Sequence, residues 1–108
     1  METLARLEAT IAARRAAPAG DSYVASLNAR GLAVIARKLG EEGVEATVAA
    51  LAGSRDEVVS EAADLVFHLL VMLDARGVAL SDVLAELDRR AGTSGLAEKA
   101  ARAAEEEA

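Results

Sequence analysis

Cysteine and tryptophan are absent from this 108-residue chain, and proline, tyrosine, phenylalanine and histidine occur once each. Without cysteine there is no disulfide framework, no thiolate zinc site and no thiol nucleophile. A single histidine excludes a histidine-rich metal centre. Aromatic residues make up only 2% of the chain, and no segment alternates apolar and polar residues as a strand does. The expected fold is therefore all-α. Basic residues are outnumbered, 12 against 18 acidic, for a net charge of −6. That balance leaves no face able to neutralise phosphate backbones, so no nucleic-acid partner is expected. No apolar run is long enough to span a bilayer. The first twenty residues read as an amphipathic helix without the continuous apolar segment of a secretory signal. No membrane partner and a cytoplasmic location are expected.

What the chain has in quantity is alanine, about a quarter of all residues, within a hydrophobic fraction of 53%. A single domain over residues 1–108 is expected from the length. Small side chains remove little apolar area from water, so association with another subunit is an expected supplement. Leu4, Leu7 and Ile11 recur at helical spacing and predict a helix over about residues 2–16. Pro18 and Gly20 break it. Asp21 or Ser22 can cap a second helix from Tyr23 to about Arg30. After a break at Gly31, a long helix is predicted from Leu32 to Ala52, with Leu32, Ile35, Leu39, Val44, Val48 and Leu51 as its apolar side, closed by Gly53. Ser54 and Glu57 have capping-box spacing. They open a central helix ending near Arg76 and Gly77. From Leu65 to Leu73 this helix is apolar nearly all round except at His68, which calls for burial on every side and points to a homodimer. Ser81 is expected to cap a shorter helix with Val83, Leu84 and Leu87 inward. The acidic tail, 92–108, reads as a solvated segment. The sum is a bundle of four to five helices completed by dimerisation.

The carboxylates carry the functional signal. On the long helix Glu41, Glu42 and Glu45 stand at three- and four-residue spacings, which share a helical face. On the central helix Glu57, Glu61, Asp64 and His68 follow steps of four, three and four. The two helices are joined by a short turn and must pack antiparallel, so the acidic stripes can face each other. A soluble face would dilute such charges with Lys or Arg, yet none stands between Glu57 and His68. Carboxylates gathered in a partly buried cleft must be protonated or hold a cation. An all-oxygen set suits Mg²⁺, with Mn²⁺ as an alternative. No Asp- and Asn-rich loop for calcium and no paired Glu-x-x-His motif for di-iron is present. Mg²⁺ in a carboxylate cage points to phosphate chemistry.

Glu41-Glu42-x-x-Glu45 followed by Glu61-x-x-Asp64 resembles the EExxE…ExxD signature of the all-α, MazG-like nucleotide pyrophosphohydrolases. The stretches Ser22-Tyr23-Val24-Ala25-Ser26-Leu27, Lys38-Leu39-Gly40-Glu41-Glu42, Glu61 through Leu70, Gly77-Val78 and Val83 through Leu87 are similar to the phosphoribosyl-ATP pyrophosphohydrolase family of histidine biosynthesis. The resemblance covers about residues 22–90. Gly43 departs from it, standing where the family more often has alanine. The first helix and the tail lie outside it.

The resemblance implies Mg²⁺-dependent hydrolysis of 1-(5-phosphoribosyl)-ATP, a small nucleotide, to 1-(5-phosphoribosyl)-AMP and pyrophosphate. It implies Glu42, Glu45, Glu61 and Asp64 as metal ligands, and a catalytic role for Glu41, Glu42 and Glu45, with the general base open between Glu41 and a ligating carboxylate. Lys38 and Tyr23 are the expected substrate contacts, although Lys38 can equally pair with Glu41 and Tyr23 can plug the core. Glu57 and His68 are expected behind the ligands, and Arg37 is expected to point off their face. Two other readings stand beside this one: a house-cleaning nucleoside triphosphate pyrophosphohydrolase of the same superfamily, and a helical dimerisation module without enzymatic activity.

Overall fold

In the computed structural model, which describes residues 2–92 and 95–107, every regular element is a helix: α1 (Glu2–Arg14), α2 (Tyr23–Arg30), α3 (Leu32–Ala52), α4 (Arg55–Ala75), α5 (Leu80–Ala91) and α6 (Gly95–Glu107). The fold is all-α, as expected, with six helices among the described residues rather than four or five. The extra one is the tail, whose alanine and glutamate residues are good helix formers. The chain divides into two compact units, Met1–Val78 and Ala79–Ala108. No helix among the described residues is long and apolar enough to cross a membrane.

Local chemistry sets the helix ends of the first unit. Ser22 accepts the Ala25 N–H at 3.3 Å and starts α2. Gly31, with φ of 100°, separates α2 from α3 in a conformation that a β-carbon would strain. Ser54 accepts the Glu57 N–H at 3.2 Å and starts α4. At the far end of α4 the Val78 N–H reaches Leu73 O at 2.9 Å and the Gly77 N–H reaches Asp74 O at 3.0 Å. This closure needs a left-handed residue, and Gly77 supplies it with φ of 67°. Ser81 does not cap α5: Ala79 is the cap residue, without a side-chain bond, and Ser81 falls inside the first turn. Leu80 is buried, whereas Leu87 is 56% exposed and not on an inner face as predicted.

The core of the first unit is small. Ile11, Leu27 and Val71 are its largest fully enclosed side chains, joined by Val24, Ala25, Ile35, Ala49 and Leu70. Packing is between α3 and α4 above all, with α1 against α4 and α2 against α3. Arg15 ties α1 to the end of α4, donating to Asp74 O at 3.3 Å with Asp74 Oδ2 at 3.5 Å. The predicted apolar side of α3 is mostly exposed. Ile35 is enclosed and Leu39 partly so, but Leu32, Val44, Val48 and Leu51 are exposed. The buried line of α3 is Ile35, Glu42 and Ala49. It runs at seven-residue spacing, which returns to the same face of a helix. Within the apolar stretch 65–73 of α4 every residue but Val66 is buried or partly buried, whereas residues 55–60 and Asp64, before it, are exposed.

Candidate metal centre

The acidic site sits midway along the α3–α4 hairpin, where the buried line of α3 carries a glutamate in place of an apolar residue. Glu42 is only 8% exposed. Across the hairpin stands Glu61, half buried, and beside them Glu45, exposed. One carboxylate oxygen from each of Glu42, Glu45 and Glu61 lies within 4.8 Å of the others. Glu42 Oε2 and Glu61 Oε2 are buried and have no hydrogen-bond partner. Burial pushes the Glu42 carboxyl up, and the Glu45 carboxyl beside it adds to the rise, while His68 partly offsets it. Glu61 is raised for the same first reason, then by Glu45. Asp64 lies outside the tight triplet and is exposed, yet its charge reaches both glutamates.

Orphaned buried oxygens are costly in a protein that holds nothing between them. A divalent cation accepting oxygen ligands removes that cost, and three to four carboxylates with water suit a hard ion. The residues present therefore fit a hard metal ion.

The other predicted residues fall around this centre. Glu41 turns away from it: its carboxylate is 3.4 Å from Lys38 Nζ and 3.7 Å from Arg37 Nε. Arg37 shares Glu41 with Lys38 and, like Glu41, turns away from the centre. Glu57 serves the turn. The Ser54 hydroxyl donates to Glu57 Oε1 at 3.3 Å. A β-carbon at Gly53 would lie 2.9 Å from both Ala49 O and Glu57 Oε2, so only glycine lets the chain pass here undisturbed. Tyr23 does not present a free hydroxyl: it meets His68 Nε2 at 2.9 Å. His68, 6% exposed, donates from Nδ1 to Asp64 O at 2.7 Å.

Between the triplet and the α3–α4 turn lies an open cleft of about 320 Å³, walled by Val44, Val48, Ala52, Glu45, Glu57 and Glu61. The apolar pattern of α3 assigns Val44 and Val48 to the core and so misses them as walls of a site. The signal that could have found them is the position of Glu42: with Glu42 inward, residues two and six places on must turn away.

The chain matches the family model described as phosphoribosyl-ATP pyrophosphohydrolase over residues 4–91. The match takes in the first helix, which the motif-based resemblance leaves out. Among similar proteins, one from Novosphingobium aromaticivorans is 65% identical over 101 residues, 94% of each chain. One from Erythrobacter litoralis is 66% identical over 102 residues, 94% of this chain and 98% of its own. One from Rhizorhabdus wittichii is 66% identical over 100 residues, 93% of this chain and 94% of its own. All three are described as phosphoribosyl-ATP pyrophosphatase. With its carboxylate hairpin intact and the match running from α1 to the end of α5, the chain belongs to the phosphoribosyl-ATP pyrophosphohydrolase family, of the MazG-like all-α type.

Proposed function

We propose that this protein hydrolyses 1-(5-phosphoribosyl)-ATP to 1-(5-phosphoribosyl)-AMP and pyrophosphate, a step of histidine biosynthesis in the cytoplasm, with Mg²⁺ as its cofactor and Mn²⁺ as an alternative. The observation that carries this reading is the triplet of Glu42, Glu45 and Glu61 oxygens within 4.8 Å, two of those residues each holding a buried unpartnered oxygen, in a chain about two-thirds identical to proteins named for that reaction. Glu42, Glu45 and Glu61 would hold the ion, and Asp64, whose charge reaches two of them, would complete the set. When bound, the ion neutralises the triphosphate and the charge that develops on the leaving pyrophosphate. Water forms one P–O bond as the anhydride bond to pyrophosphate breaks, and its proton passes to a carboxylate of the cluster. Glu41 is less well placed for that proton, being paired with Lys38 and Arg37. Lys38, 30% exposed, exchanges Glu41 for a phosphate oxygen when the nucleotide arrives, acting as a compact point charge.

The functional unit in this reading is a homodimer. Val44, Val48 and Leu51 are 65%, 58% and 84% exposed on one side of α3, a stripe at four- and three-residue steps beside the acidic cleft. A second copy covering it would also wall one side of the cleft. Sedimentation of an active preparation is expected to give a dimer mass, and a monomer mass independent of concentration contradicts this part. The activity itself is tested by pyrophosphate release from phosphoribosyl-ATP beside a panel of common nucleoside triphosphates, with Mg²⁺ and with EDTA. Release confined to phosphoribosyl-ATP and abolished by EDTA is expected. Preference for another triphosphate favours the house-cleaning reading, and no release from any of them favours the dimerisation module.

A further inference from the structure

The chain has one tyrosine, one phenylalanine and one histidine, and all three rings meet at a single point. Tyr23 stacks on Phe67 with centroids 6.1 Å apart and planes at 21°. His68 stands edge-on to both, at 5.8 Å from Tyr23 and 5.2 Å from Phe67. Within this group the hydrogen bonds run in one direction. The Asp64 carbonyl can only accept, so His68 Nδ1 carries a proton toward it. In the neutral ring Nε2 is then an acceptor, and the Tyr23 hydroxyl is its donor. Tyr23 is the first residue of α2, and that helix end is fixed by its own bonds: Ser22 Oγ to the Ala25 N–H, and the Ser26 hydroxyl to Tyr23 O at 2.8 Å. A rigid helix start therefore holds, through one phenol, a buried imidazole clasped to the turn of α4 that carries Asp64.

We infer that Tyr23 and His68 are positioning residues: together they brace the α4 turn bearing Glu61 and Asp64 against α2, and so set how well the carboxylates hold a divalent cation. The inference rests on the metal reading above. It gives Tyr23 a role besides the nucleotide contact expected from the sequence, because its hydroxyl proton is directed to His68. The coupling is short. His68 lies one helical turn from Asp64, and its Nδ1 bond is to that residue's own carbonyl. Residues that orient metal-binding groups from behind commonly change affinity about 10–100-fold when altered.

The test uses the full chain freed of metal, with Mn²⁺ as the probe and unbound Mn²⁺ read by electron paramagnetic resonance. Tyr23→Phe keeps the ring stacked on Phe67 and deletes only the hydroxyl. Its Mn²⁺ dissociation constant is expected to rise about tenfold. Turnover is expected to fall at limiting metal and to return close to the wild-type rate at saturating metal, with KM for phosphoribosyl-ATP there within about twofold. His68→Asn preserves a donor for the Asp64 carbonyl but removes the partner of Tyr23. It is expected to match Tyr23→Phe, with the double variant no worse than either alone. Unchanged Mn²⁺ affinity with a raised KM at saturating metal would make Tyr23 a substrate contact and overturn the inference. Unchanged Mn²⁺ affinity and KM with only a lower melting temperature would reduce the pair to packing and overturn it as well. A wild-type chain that takes up no Mn²⁺ would instead refute the metal reading on which the inference rests, a result distinct from the other two.

Discussion

The two ends of the α3–α4 hairpin are built from the same two helices and treated in opposite ways. At the end away from the turn, Ile35, Leu70 and Val71 are enclosed, and α1 and α2 supply Ile11, Val24 and Leu27 to cover them. At the turn end, Val44, Val48 and Leu51 on α3 and Val58 and Val59 on α4 remain exposed. The acidic triplet lies on the boundary between the two. The packed end gives Glu42 and Glu61 the burial that raises their carboxyls, and the open end leaves a cleft for something to reach them. A chain rich in alanine has enough apolar bulk to enclose one half of the hairpin, and the enclosed half fixes the geometry of the site.

The largest expected effect tests this division. Leu27→Ala, at a fully enclosed position, is expected to cost about 2–5 kcal/mol of unfolding free energy. Leu51→Ala, 84% exposed, is expected to change the stability of the isolated subunit by no more than about 0.5 kcal/mol. Denaturant titration of both variants, with Leu51→Ala also followed at low protein concentration, measures the contrast. Equal losses would erase the distinction between the ends.

Next in size is the boundary. Glu61→Gln keeps shape but removes a charged oxygen donor, and a loss of turnover of about a hundredfold or more is expected, measured as kcat/KM at saturating Mg²⁺. Near-normal turnover would remove Glu61 from the ligand set. A smaller effect follows from proton binding. Glu42 and Glu61 are raised above the ordinary carboxylate range, first by burial. Through the window between the ordinary and raised values, the folded metal-free protein binds more protons than the unfolded chain. Stability from these groups is therefore full below that window and lost as pH rises through it. Melting temperatures of metal-free protein are expected to fall as pH rises across the window, and to do so less in Glu42→Gln. The smallest effect concerns Gly43, where a β-carbon would meet Leu65 Cδ1 at 4.0 Å, an ordinary contact. Gly43→Ala is expected to add about 0.5–1 kcal/mol, read from the denaturation midpoint.

Local signals make the helix frame legible in the amino-acid sequence. Ser22, Gly31, Gly53, Ser54 and Gly77 each act on neighbours a few residues away, so the bounds of α2 and α3 and the start of α4 follow from them. The pairing of Glu42 and Glu45 with Glu61 is also legible, because a short turn leaves two long helices no choice but to face each other. What does not follow is the inward line of α3. A reading by residue type prefers Val44, Val48 and Leu51 to Glu42 and Ala49, and the packing of α3 against α4 and α2 decides against it. Arg15 with Asp74 and Tyr23 with His68 stand 59 and 45 residues apart, beyond any local spacing. Sequence marks Tyr23 and His68 individually, but not their bond.

The central claim is that the buried carboxylates destabilise the protein when alone and stabilise it when they share a cation. Melting temperature measures both halves at once, for wild type and Glu42→Gln, in EDTA and in excess Mg²⁺. Metal-free Glu42→Gln is expected to melt at or above metal-free wild type, because one buried charge is gone. Mg²⁺ is expected to raise the wild-type melting temperature by ligand linkage and to leave Glu42→Gln nearly unmoved. A wild type indifferent to Mg²⁺, or a Glu42→Gln variant that melts lower without metal and still gains fully from Mg²⁺, would contradict the account.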